Sequence, residues 1–468
     1  MPSSPIRRAL LAAAALVLLP AAGAGAETVS TAAQRSGLGL TVYNQGFSVV
    51  RDARVVDLPK GESRIAFEDV ARQIVPETVI LQGDPPVVVL EQAMQREALT
   101  AAALLRRAVG GEVTLVQRNP ATGAETRRRA RVLSADGGGV FLVDGHLEAG
   151  GGAGRVVFDG LPTGLRARAA LETLVNAAGP GKMVLSYVTQ GLSWRADYVG
   201  HLNGGENKLR ITAWATLNNG SGARYVDAGL TLVAGTVNRA PTPRPEARYK
   251  AAAPMAMGGA AADMATAPEG DLHVFHAPRP VTIEDGQTKQ IALFGPVELS
   301  AAKEYVARVG SNFFGRQPEP QEFKPRAVLV SRNETGFPVP AGTVRVYRTT
   351  GTGQPLLAGE DQVGHVAKEA PIRLDLGNAF DLRVKRTQTD FQRFTQSRNL
   401  FESAYSFELA NASDKDVVIR VEEYIHGDWT MVEESLPHTK ETAALAVWQV
   451  PVAAGGTAAL TYRVRVRN

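Results

Sequence analysis

His273 and His276, in the run His273-Val274-Phe275-His276, are the closest pair among seven histidines in a chain with no cysteine. On a helix that spacing lets two imidazoles share a metal ion; on a strand it turns them to opposite faces. The residues around them are patterned as strand, so ordinary strand histidines are expected, with no metal and no cofactor. The missing cysteines exclude disulfides, thiol catalysis and thiolate ligation. Gly191-Leu192-Ser193-Trp194-Arg195 begins like the nucleophile elbow of a serine hydrolase. It lacks the closing glycine and the strand-to-helix context that exposes such a serine, so a turn entering a strand over 194–199 is expected. The glycine-rich run at 150–154 precedes no helix and therefore no phosphate cradle; it reads as a hairpin tip.

Charge offers more. Arg127, Arg128 and Arg129, with Arg131, form the densest basic cluster, and Arg463, Arg465 and Arg467 make a basic stripe on one face of the last strand. Each set is a solvated strand face or a place for an acidic envelope polymer or lipid head group. Trp194 and Tyr198 share one face of their strand by period two and either fill a core or contribute to a partner surface. Trp194, Tyr198, Arg127, Arg128 and Arg129 are the candidate partner-binding residues; none is a candidate catalyst. Asp227, Asp361, Glu422 and Glu423 show no readable pairing, although a glycosidase draws its two carboxylates from distant strands and a sequence does not display that.

Those side chains need positioning elements, and the chain supplies mostly strands. Leu460, Tyr462, Val464 and Val466 alternate with Thr461, Arg463, Arg465 and Arg467, which places one set inward and one in water. Tyr405, Phe407 and Leu409, then Val417, Ile419 and Val421, repeat that rhythm across a turn at 411–416. Leu209, Ile211, Ala213, Ala215 and Leu217 do the same in the first half. One helix is expected: Thr100 as N-cap, helix formers over 101–109, and Gly110-Gly111 as the stop. Short strands punctuated by glycine follow it, in the order of an Sm-like or SH3-like small barrel.

At the N-terminus, Arg7 and Arg8 precede an apolar run at 9–19, Pro20, and the small residues Ala24-Gly25-Ala26. This is the pattern of a Sec-type signal peptide cleaved after Ala26. The run is too short to span a bilayer well. The formal net charge of +4 falls to +2 once Arg7 and Arg8 are removed, too little to steer the chain onto nucleic acid. Residues 239–270 are rich in Pro, Ala, Gly and Met and cannot bury enough surface to offset their ordering entropy.

The stretches "LTVYNQGFSVVRDARVVDLPKGESRIAFEDV", "YVTQGLSWRADYVGHL", "VTIEDGQTKQIALF" and "LPHTKETAALAVWQVPVAAGGTAALTYRVRV" resemble exported bacterial proteins of the domain-of-unknown-function 4139 family. The resemblance runs from about residue 38 to 467. It implies secretion and β-rich folding, and no established reaction.

The expectation is therefore an all-β protein with two antiparallel β-sandwich-like parts and a small Sm/SH3-like barrel inserted in the first. Its divisions are a signal peptide at 1–26, an N-terminal β domain at 27–238 with the barrel at 95–161, a linker or loop at 239–270, and a C-terminal β-sandwich at 271–468. The expected place is periplasmic or secreted, with no transmembrane segment in the mature chain. The expected role is non-enzymatic binding of a protein or an acidic envelope polymer, with no nucleic acid. The alternative is a hydrolase acting on an envelope polymer through an unrecognised carboxylate pair.

Overall fold

A computed structural model describes residues 27–96, 99–150, 154–160, 165–239, 265–269, 272–310, 313–394 and 399–467. The expected signal peptide and most of the expected linker lie outside them. The linker's end is not irregular: Ala265–Glu269 is a strand, paired antiparallel with Leu272–His276. The all-β class holds, with one short α-helix, Ala101–Arg107, among the described residues. The chain divides into two compact units. One comprises residues up to Ser36, Arg54–Val70 and Leu81–Val184; the other comprises Gly37–Ala53, Ala71–Ile80 and Leu185–Asn468.

The first unit holds two sheets. In one, the strand order is Thr28–Ser30, Gly61–Glu68, Ala170–Ala177, Val87–Gln95. Its first strand is tied in by a buried guanidinium: Arg54 donates to the carbonyls of Ser30 at 2.6 Å and Glu68 at 2.8 Å. The other sheet runs His146–Ala149, Val140–Val143, Glu125–Ser134, Glu112–Arg118, Arg155–Val157. Thr100 caps the helix beside it, its hydroxyl accepting from the Ala103 amide at 3.0 Å. Leu105 of that helix packs on Val113, Leu115, Val132, Phe141 and Val143, a core separate from that of the other sheet. Burial of each such side chain stabilises by about 1.5–3 kcal/mol. Where a small barrel was expected, the described residues give an open five-stranded sheet, because its two edge strands pair inward only.

The second unit carries the larger sheets. One runs Pro355–Val363, Gly342–Thr349, Leu192–Leu202, Lys208–Asn219, Thr288–Gly310, Val417–Tyr424, Leu445–Val452, Thr439–Thr442. Its backbone is the 23-residue strand Thr288–Gly310, which pairs with Lys208–Asn219 along one stretch and with Arg326–Arg332 and Val417–Tyr424 further on. A five-stranded sheet runs Gln321–Phe323, Leu382–Arg393, Leu400–Asn411, Thr457–Arg467, Asp428–Glu434. The period-two reading of the last strand is what forms: Leu460, Tyr462, Val464 and Val466 are buried together with Val384, Phe407, Val421 and Trp448 in one core. That core takes residues from both sheets, which is why each strand shows one apolar face.

Candidate functional site

Neither aromatic candidate faces a partner. Trp194 is buried, its indole donating to the Val233 carbonyl at 3.1 Å and meeting Phe275 edge-on at 6.1 Å. Tyr198 is fully buried and donates to the Pro340 carbonyl at 2.7 Å. Burial, then the Asp197 carboxylate beside it, push the Tyr198 phenol well above its ordinary value. The partner-surface expectation for this face is corrected: it is core, with both polar handles satisfied inside.

Arg127, Arg128 and Arg129 share the strand Glu125–Ser134 but do not present a free basic patch. Arg128 binds Glu148 through two bonds, at 2.5 and 2.9 Å. Arg129 pairs with Glu112 at 3.0 Å and Arg127 with Glu125 at 3.6 Å. The stripe on the last strand is matched too, Arg463 by Asp390 at 2.8 Å and Arg465 by Glu402 at 2.8 Å. Arg131 donates instead to the Gly110 carbonyl at 3.1 Å. Five of these arginines thus meet carboxylates, so much of the field that an acidic polymer would follow is cancelled. Ser193 lies in the strand Leu192–Leu202, with no helix after it. Glu422 and Glu423 are adjacent but opposed: Glu422 accepts from Arg308 and Arg420, both at 2.7 Å, while Glu423 meets Arg386 in the interior.

The structure gathers a different set. The hairpin between Leu192–Leu202 and Lys208–Asn219 is closed by Asn203, whose side-chain oxygen accepts from the amides of Asn207 at 3.0 Å and Lys208 at 3.1 Å. This holds Glu206 at φ 53°, a left-handed conformation that a β-bearing residue adopts at a cost. The Glu206 carboxylate then accepts from the Lys303 ammonium at 3.0 and 3.2 Å and from Arg348 at 3.5 Å. Register explains the meeting. Leu202 stands beside Arg348 in the parallel pairing with Gly342–Thr349, and Lys208 stands opposite Ser300 on the long strand that bears Lys303. Tyr305, two residues on and so on the same face, has its ring 5.4 Å from the Lys303 ammonium.

Around this cluster lie two hollows, of about 290 and 770 Å³, that share Glu206, Lys303, Tyr305, Arg348 and Ser413 in their walls. They form one groove. Phe380, in the turn after Pro371–Asn378, stands on the wall of the narrower hollow with 84% of its surface exposed. Lys324 steadies it, its ammonium 4.1 Å from the ring centre and donating to the Phe380 carbonyl at 2.6 Å. The far wall is the turn after Leu400–Asn411, where Asn411 donates to the Lys415 carbonyl at 2.8 Å and Ser413 to the Asn411 side chain at 2.7 Å. Arg420 closes that end. Its hydrogen bonds to the Glu441 carboxylate, opposed by burial and reinforced by Glu422, hold its guanidinium above the ordinary value.

Sequence reading missed these residues because Glu206, Lys303, Arg348 and Phe380 are far apart along the chain and no local spacing joins them. The one local sign was an aromatic in the turn Asn378-Ala379-Phe380-Asp381, where a polar residue is usual. Among the described residues no group of three or more His, Asp or Glu side chains is arranged to hold a metal ion.

No curated protein matches the chain. The family model described as Domain of unknown function (DUF4139) matches residues 183–468, which hold every side chain of the groove, and the chain belongs to that family.

Proposed function

We propose that this is an exported cell-envelope protein that acts by binding, with the groove around Glu206, Lys303 and Arg348 as its site. Export rests on the sequence at 1–26, with Arg7 and Arg8, the apolar run, and cleavage after Ala26 to release the chain into the periplasm or medium. The observation that carries the binding role is Glu206. A non-glycine residue is held at φ 53° so that its carboxylate meets two cations in the wall of an open groove. Strain kept at a concave, solvent-reached place is a mark of a working site. The role is non-enzymatic, for the charges are arranged as mutual partners.

The test is co-sedimentation of the mature chain with insoluble envelope material. Wild type is expected in the pellet, and the Lys303→Ala/Arg348→Ala double variant in the supernatant. Equal recovery of the two would remove the groove from the account.

A further inference from the structure

The groove's chemistry selects among ligands. Resting on the binding role above, we infer that its ligand is an uncharged glycan, whose sugar rings stack on Phe380 and whose hydroxyls bridge the Glu206–Lys303–Arg348 cluster.

Three observations carry this. The first is charge balance. The wider hollow is walled by four acidic and four basic side chains, and the narrower by two of each. A polyanion or polycation gains nothing net from such a wall, whereas a neutral ligand loses nothing. The second is the type of hydrogen-bonding atom on offer. A sugar hydroxyl both donates and accepts, and needs a partner of each kind close together. The cluster supplies that pairing: Lys303 is within 3.0 Å of Glu206, and the carboxylate is shared with Arg348 at 3.5 Å. A hydroxyl seated there donates to the carboxylate and accepts from the ammonium or guanidinium. The strained turn fixes the acceptor before the ligand arrives, so little ordering is left to be done on binding.

The third is Phe380. It is the most exposed of the large apolar side chains among the described residues, at 84%, and shares its wall with Glu206, Lys303, Arg348, Asn378 and Asp381. A single flat apolar ring beside hydrogen-bonding groups matches a pyranose, which has an apolar C–H face and a polar rim. An apolar peptide would need several exposed apolar side chains, whereas Leu202 and Leu382 in the same wall are only 5% and 2% exposed. A phosphate would need an excess of cations, and the walls are balanced.

The experiment is titration of the mature protein with uncharged tetrasaccharides, cellotetraose and the tetramer of N-acetylglucosamine, and with polyglutamate as a charged control. Heat release and the aromatic resonances of the protein are followed. Phe380→Ala serves as the variant, because a side chain so exposed is removed without unfolding the chain, and its melting temperature is recorded beside wild type. The expected result is saturable binding of at least one tetrasaccharide, about tenfold weaker in Phe380→Ala at an unchanged melt, and no binding of polyglutamate. Binding of polyglutamate alone overturns the glycan. So does tetrasaccharide binding that Phe380→Ala leaves intact. If no tetrasaccharide binds while envelope sedimentation still depends on Lys303 and Arg348, the glycan assignment falls and the binding role stands. If that dependence is also missing, both fall.

Discussion

Arg386 and Glu423 meet where neither side chain is more than 1% exposed, whereas Glu206 and Lys303 meet with 32% and 22% of their side chains exposed and Arg348 with 50%. Both are carboxylate–cation clusters in the second unit, at similar distances: 2.8 Å for the buried pair and 3.0 Å for the shortest contact in the groove. Their surroundings give them different work. Arg386 is enclosed by rings, with Tyr405 3.6 Å from its guanidinium carbon, and Glu423 also accepts from the Tyr462 hydroxyl at 2.7 Å. Burial acts to lower the Arg386 guanidinium, but the Glu423 carboxylate wins and raises it above its ordinary value. Such a pair specifies how the core closes and has no spare surface for a ligand. The groove cluster is between a fifth and a half exposed, contributes little to stability, and is reached by solvent.

The largest expected effect follows from breaking the buried pair on one side. Arg386→Met alone strands the Glu423 charge in the core and is expected to cost about 3–5 kcal/mol in urea unfolding. Arg386→Met combined with Glu423→Leu removes both charges and is expected to recover most of that loss. A double variant as unstable as the single one would mean that the pair itself, not the stranded charge, carries the energy.

A smaller effect, visible through pH, concerns Asp197. Burial alone would raise its carboxyl. The Thr216 hydroxyl, Arg345 and Arg195 outweigh that and hold it below the usual carboxylate range. Thr216 donates at 2.6 Å, and Arg195 and Arg345 each lie at 3.1 Å. A carboxyl depressed in the folded state gives stability that is fully present above its unfolded value of about 3.9 and is lost as pH falls through the lower folded value. Wild type is therefore expected to lose unfolding free energy as pH drops below about 4, and Asp197→Asn to be weaker at neutral pH and flatter in acid. Parallel slopes for the two would show that Asp197 is not the group being titrated.

The sequence foretold what is local. Alternation over 460–467 placed Leu460, Tyr462, Val464 and Val466 in the core, where they lie, and Thr100 was legible as a cap because its partner, the Ala103 amide, is three residues away. Trp194 and Tyr198 were assigned a face correctly, but alternation does not say whether a face meets another sheet or a partner; here it meets core. The arginines at 127–129 looked like a patch because Glu148 and Glu112, which neutralise two of them, come from other strands. The groove was illegible for that reason too. Glu206, Lys303 and Arg348 become neighbours only through the register of four strands. The Asn-rich turn that strains Glu206 hid behind two ordinary glycines, Gly204 and Gly205.

The most direct measurement makes one change, Glu to Gln, in both clusters and reads melting and envelope co-sedimentation side by side. Glu423→Gln is expected to lower the melting temperature strongly while its folded fraction still sediments with envelope material. Glu206→Gln, at an exposed pair worth about 0–1 kcal/mol, is expected to melt close to wild type and to stay in the supernatant. A Glu206→Gln protein that sediments as wild type does, or that loses as much stability as Glu423→Gln, would contradict the assignment of the groove as the binding site.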